Sequence, residues 1–165
     1  VCVRPCTAGR DHRIRGASRK IFRSCRIRLS MAFELHPQLL ADSVPVAVLE
    51  LCDIRLMNTE AVPWLLMIPR RTDLREIIDL DESAQLTLWR EIALVSKMLR
   101  NEFHPTKLNV AALGNVVPQL HVHVIARFSN DAAWPKPVWG NLPMVPYTDE
   151  ARDTMVLRLQ TALKP

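Results

Sequence analysis

Apolar and polar positions along the chain sort into two periods. From Gln119 to Arg127 they alternate almost residue by residue, Gln-Leu-His-Val-His-Val-Ile-Ala-Arg. That is the period of a half-buried strand. Gln119, His121 and His123 then share one face, and Leu120, Val122 and Val124 face a core. Between Asp81 and Phe103 the period changes. Leu88, Ile92, Val95 and Leu99 recur every three or four residues, the stripe of an amphipathic helix. Asp81 stands as its N-cap with Glu82 in the first turn, and Pro105 stops it.

Trp64 to Ile68 is a continuous apolar run closed by Pro69, which reads as a central strand covered on both faces. Val44 to Glu50, Ile54 to Asn58 and Lys107 to Leu113 read as further strands, with Cys52-Asp53 as the turn between the first two. Pro37 to Ala41 suggests a short helical turn, and Arg70 to Asp73 and Gly114 to Pro118 are loops. Asp131 to Pro146 holds four Pro and two Trp and reads as an ordered loop; Asp149 to Leu163 is a final helix. The pattern predicts a single domain over residues 31–165, without repeats, built of about five strands, one long helix and a C-terminal helix.

Composition changes this picture at one end only. The 165 residues are 48% hydrophobic and 24% charged, enough for one domain with a core. The formal charge of +5 comes from residues 1–30, which carry nine Arg and Lys against Asp11; the remainder carries thirteen basic and sixteen acidic residues. A mildly acidic body gives no reason to expect a nucleic-acid surface. Residues 1–30 are expected to be disordered. Met31 opens a plausible natural start, so this basic segment reads first as a translated upstream extension, then as a transit peptide, then as a nucleic-acid-binding arm. No apolar run is long enough to span a membrane. The four cysteines form no C-x-x-C pair. They read as reduced, inert thiols of a cytoplasmic protein without zinc or redox function.

The histidine row carries the chemistry. Same-face side chains on a strand lie about 6.6 Å apart. At that spacing three hydrogen-bonding groups can surround a tetrahedral phosphate. Imidazole titrates near ~6.5, so much of it is neutral and nucleophilic at neutral pH. Attack needs one ring nitrogen free, and the other should then donate to a fixed acceptor such as a backbone carbonyl.

Residues 44 to 127 also resemble a family. Leu108 to Pro118 followed by Gln119-Leu120-His121-Val122-His123-Val124-Ile125 is similar to the histidine-triad nucleotide-binding family, whose signature is His-φ-His-φ-His-φ-φ after a strand and a Gly-containing loop. Leu66-Met67-Ile68-Pro69-Arg70-Arg71 is similar to the family's apolar strand, Ile-Pro and two basic residues. Small bacterial members also carry Trp-Pro-x-Pro-Val-Trp-Gly, here Trp134 to Gly140.

The resemblance implies an α+β fold, an antiparallel sheet of about five strands with one long helix packed on it and a C-terminal helix. It implies a homodimer that acts on a nucleotide or dinucleotide by hydrolysis or transfer at the α-phosphate, without a metal or cofactor. It implies His121 as nucleophile, forming a nucleotidyl-histidine. His123 and Gln119 would assist. Asn109 and Asn115 would make phosphate contacts, and Asn58 would hold the ribose. Arg127, at the end of the strand, is a further phosphate candidate, ahead of Arg70 and Arg71.

Three positions depart from the family pattern. Gln119 replaces the first histidine, and Trp64 and Thr72 stand where supporting histidines are common. Gln cannot act as a general acid. Two other readings therefore stay open: a nucleotide-binding module with weak or no turnover, and a metal-dependent hydrolase using the His-x-His pair with a third ligand from His36, His104 or a carboxylate. Without the surrounding match, His121 and His123 would read as polar residues on a wet strand face. Trp134 and Trp139 read as a base-stacking platform, a pocket closure, core filling or a dimer contact.

Overall fold

A computed structural model describes residues 32–164. The expectation for residues 1–30 lies outside the described residues. The elements run α1 (Pro37–Asp42), β1 (Ser43–Val48), β2 (Cys52–Met57), β3 (Trp64–Pro69), a 3-10 turn (Ile77–Asp79), α2 (Glu82–Phe103), β4 (Lys107–Ala111), β5 (Val122–Arg127) and α3 (Asp149–Ala162). The five strands form one sheet in the order β1-β2-β3-β5-β4, and every neighbouring pair is antiparallel. Among the described residues no helix is long and apolar enough to cross a membrane.

β3 is the middle strand, and all six of its residues are buried. Its side chains feed two cores. On one face Leu65 and Met67 join Ile54 and Leu56 of β2, Val122 and Val124 of β5, and Leu88, Ile92, Val95 and Leu99 of α2; Leu159 of α3 completes this cluster. On the other face Trp64, Leu66 and Ile68 join Ile125, with Leu39 of α1, Val117, Ala133, Val138 and Leu142 as cover. The second face is thus covered mainly by loops, and here the histidine row emerges.

The long helix forms as its pattern predicts. The Asp81 carboxylate accepts from the Ala84 amide, and His104 closes the helix in the left-handed region at φ 49°, just before Pro105. Glu91 interrupts the apolar stripe. It is buried, and its two oxygens accept from the backbone amides of Leu51 and Cys52 at 2.7 and 3.0 Å.

This clamp corrects the expected turn. Cys52 and Asp53 belong to β2, and the chain reverses at Leu49 to Leu51, where Leu49 N–H meets the Cys52 carbonyl. Two amides that point at a helix carboxylate make residues 49–51 the bend. Burial and the adjacent Glu91 carboxylate push the Cys52 thiol far up, consistent with an inert side chain. β4 ends at Ala111 and β5 begins at Val122, so both are shorter than the alternation implies.

Hydrogen bonds to a charged acceptor contribute roughly 1.5–3 kcal/mol each. Glu91→Ala should therefore lower the unfolding free energy by about 3 kcal/mol in urea titrations, and Glu91→Gln by about half of that. A loss within error of zero would show that the β1–β2 bend holds itself.

Candidate active site

His121 precedes β5 by one residue and His123 is the second residue of β5; both are buried. The His121 Nδ1 lies 2.7 Å from the backbone carbonyl of Gln119. A carbonyl oxygen only accepts, so Nδ1 carries a proton, and in the neutral ring the lone pair is then on Nε2. His123 has the opposite arrangement. The indole Nε1–H of Trp64 donates to His123 Nδ1 at 2.9 Å. An indole N–H only donates, so Nδ1 is the bare nitrogen of His123 and Nε2 carries its proton. Burial, and secondarily the neighbouring His121, push the His123 pKa down to about 3.

The rings form an edge-on cluster. The centroids of His121 and His123 are 4.9 Å apart at 73°, and Trp139 stands 5.2 Å from His123 at 79°. Trp64 meets Trp139 at 5.6 Å. Edge-to-face packing at these separations is the favoured aromatic geometry.

Both histidines open into a cleft of about 330 Å³, within the range of small-molecule sites. Gln38, Leu39 and Asp42 of α1 line it together with Met57, Leu66 and Trp139, and the loop Leu113–Val117 supplies the remaining wall, with Asn115 among its residues. The lining is mostly apolar. Its polar groups are the two imidazoles, Asn115 and a rim pair in which Gln38 Nε2 donates to both Asp42 oxygens at 2.8 Å.

Four residues expected in the site lie elsewhere. Gln119 is not on the strand; it sits on the bend after Pro118, where the Leu120 amide bonds to the Leu74 carbonyl. Its side chain faces the N-terminal segment, donating from Nε2 to the Glu34 carbonyl at 2.8 Å and accepting from the His36 amide at 2.9 Å. It lines a separate, more open groove with Glu34 to Pro37 and Asp73 to Arg75.

Arg127 is 1% exposed, and its guanidinium is engaged on all sides. Nε and Nη2 donate to the two Asp131 oxygens at 2.7 and 2.9 Å, Nη1 to Asn109 Oδ1 at 3.0 Å, and Nη2 also to the Lys136 carbonyl at 2.9 Å. Asn109 is thereby held at the same place. Asn58 accepts the Tyr147 amide with its Oδ1 at 3.2 Å and so ties down the segment before α3. Asn58, Asn109 and Arg127 therefore organise loops, and none of them lines the cleft.

Residues 40–130 match the HIT domain family model. Solved histidine triad proteins from Bradyrhizobium japonicum and Marinobacter aquaeolei are 42% and 44% identical to this chain; both superpose with a TM-score of 0.78 over 81% of it, and over 100% and 97% of their own lengths. The chain belongs to the histidine triad family. A third such protein, from Sinorhizobium meliloti, is 41% identical, with a TM-score of 0.76 over 79% of this chain and 96% of its own. No curated protein matches the chain.

This histidine triad protein keeps the second and third positions of its signature, His121 and His123, in one cleft, and turns the first, Gln119, away from it. Trp64, read in the sequence as the start of a central strand and as a replacement for a supporting histidine, supplies the hydrogen bond that orients His123. Gln38 and Asp42 were not singled out as cleft residues, and of the readings open for Trp139 the structure places it in the cleft wall. Asp42 has a local signal, since Gln38 and Asp42 are four apart and so face the same side of a helical turn.

Neutral burial of His123 makes stability pH-dependent. Its folded pKa lies below its unfolded value near ~6.5, so the unfolded chain binds the extra proton first. The stabilisation is present above that value and is lost progressively as pH falls toward about 3. Between pH 7 and 5 the difference is about 2 kcal/mol. Thermal or urea unfolding at the two pH values should show that much more loss in the parent than in His123→Gln.

Proposed function

We propose that the chain hydrolyses or transfers nucleotides at the α-phosphate through a covalent nucleotidyl-histidine on His121. The carrying observation is the 2.7 Å contact between His121 Nδ1 and the Gln119 carbonyl, which assigns the proton to Nδ1 and leaves Nε2 as nucleophile. As the phosphorus–nitrogen bond forms, the ring gains positive charge, and the carbonyl dipole at Nδ1–H stabilises it. His123 offers a neutral Nε2–H to a phosphate oxygen, and Asn115 offers an amide from the loop. The apolar floor of Leu39, Met57, Leu66 and Trp139, with the Gln38–Asp42 rim, suits the nucleoside. Water then attacks the adduct and releases a nucleoside monophosphate.

A nucleotide-binding module with weak or no turnover is the second reading. It is favoured by the Gln119 side chain, whose amide is tied to residues 34 and 36 and so brings no donor to the phosphate. A metal-dependent mechanism needs a third ligand, and among the described residues no group of three His, Cys, Asp or Glu side chains forms a metal-holding set.

The readings separate in one set of assays. With adenylyl and guanylyl substrates the parent should release monophosphate and yield an acid-labile adduct on His121. His121→Ala should lose turnover by at least a thousandfold, on the order seen when a nucleophile is removed, while still binding nucleotide. Binding without turnover in both proteins would favour the module. Loss of activity on chelation would favour the metal reading.

We further propose a homodimer. Among the described residues β4 has no partner on its outer edge, and Val110 is exposed on it. The outer side of α2 exposes Leu86, Trp89 and Leu94, and Leu94 and Leu108 border one shallow surface. An unpaired edge beside exposed apolar side chains is the kind of surface a second copy covers. Trp89→Glu should shift sedimentation from dimer to monomer without unfolding the chain. A monomeric parent at micromolar concentration would sink the dimer.

A further inference from the structure

We propose that this cleft selects nucleotides whose leaving group departs as a stable anion, such as phosphoanhydrides and acyl phosphates, over phosphoramidates, and that Trp64 is the positioning residue responsible. The proposal rests on His121 being the nucleophile. Departure of an amine from phosphorus requires a proton donor at the leaving nitrogen, whereas phosphate or carboxylate leaves with its electron pair unassisted.

The cleft is poor in such donors. Trp64 is 3% exposed and its N–H, which does not titrate, occupies His123 Nδ1 at 2.9 Å. His123 is thereby a neutral Nε2–H, and a neutral imidazole donates a hydrogen bond without giving up its proton. A supporting histidine at position 64 could protonate and pass charge to His123; tryptophan cannot. Among the described residues, the groups around His123 offer no substitute. β3 brings Trp64 and Leu66, β4 pairs Ala111 with it, and the 131–146 segment brings Trp139. His121 is the titratable neighbour on its own strand face and is itself the nucleophile. Across the cleft Asp42 has both oxygens accepting from Gln38, and Asn115 has only an amide. Gln119 cannot titrate, and its amide is engaged outside the cleft. The low His123 pKa, caused by burial, agrees with this geometry.

The steps balance without an added acid. His121 Nε2 bonds to phosphorus, the bond from phosphorus to the leaving oxygen breaks, and its electron pair departs on the phosphate or carboxylate. The proton stays on Nδ1 against the Gln119 carbonyl. Water then adds to phosphorus, the phosphorus–nitrogen pair returns to Nε2, and the proton of water passes to solvent.

The test compares a dinucleoside polyphosphate with adenosine 5′-phosphoramidate on the full chain, with ¹⁵N NMR of His123 in the absence of substrate. At pH 7 the parent should favour the polyphosphate in kcat/KM by about a hundredfold or more, the scale of a missing general acid. Trp64→His, which introduces a titrating group, should narrow that ratio at least tenfold; a purely structural change would lower both activities alike. The parent His123 should show one neutral Nε2–H tautomer from pH 5 to 8, and Trp64→Phe should mix the tautomers.

A parent that cleaves the phosphoramidate equally well overturns the proposal. So does a parent His123 that titrates within that range, or a tautomer unchanged in Trp64→Phe. Turnover of neither substrate, with no adduct on His121, overturns instead the nucleophile assignment on which the preference depends. The substrate-free NMR signal tells the two failures apart.

Discussion

A buried imidazole must find a partner for each ring nitrogen or leave one exposed to whatever enters beside it. The chain entering β5 carries that constraint twice, because its apolar face is sealed by α2 and its other face is closed by loops and tryptophans. His121 answers with a backbone acceptor and His123 with a side-chain donor. The two rings are chemically the same, yet they present opposite characters to the cleft, one a lone pair and the other an N–H. Much of the surrounding structure serves to keep those two nitrogens in place. The bend at Gln119 aims its carbonyl, β3 delivers Trp64 in register, and the loop after β5 brings Trp139 against the rings.

That loop depends on a buried ion pair. Arg127 and Asp131 have side chains 1% and 2% exposed, and the carboxylate also accepts the amides of Phe128 and Ala133. Removing one partner of such a pair costs roughly 3–5 kcal/mol, because the other charge is left buried and unpaired. Arg127 thus acts on the cleft from a distance, by folding the segment that carries Trp139.

The parts of the fold that were legible in the sequence are those where period reports burial. The stripe of α2, the six buried residues of β3, and the placing of Leu120, Val122 and Val124 on the helix side all follow from spacing. The α+β class and the histidine site follow from the family resemblance that this order of elements carries. What escaped was set by specific side-chain and backbone partners, which spacing does not name. Alternation puts Gln119 beside His121, but the bend and the backbone groups of residues 34 and 36 turn it away. Arg127 looks like a phosphate ligand until Asp131, four residues on, takes its charge. Asn58 and Asn109 carry the same amide whether they meet a ligand or a loop, and nothing local distinguishes the two. Trp64 is read as an absence when compared with a histidine pattern; its role appears only when its indole N–H is seen against His123.

Gln119 ends one chain of contacts and begins another. Its side chain grips the backbone of Glu34 and His36, and its own carbonyl holds the ring of His121. The residue works as a lever with two arms and one pivot. The backbone at residues 34 and 36 and the imidazole of His121 are thereby linked through a single residue, so the approach to α1 and the orientation of the ring are set together.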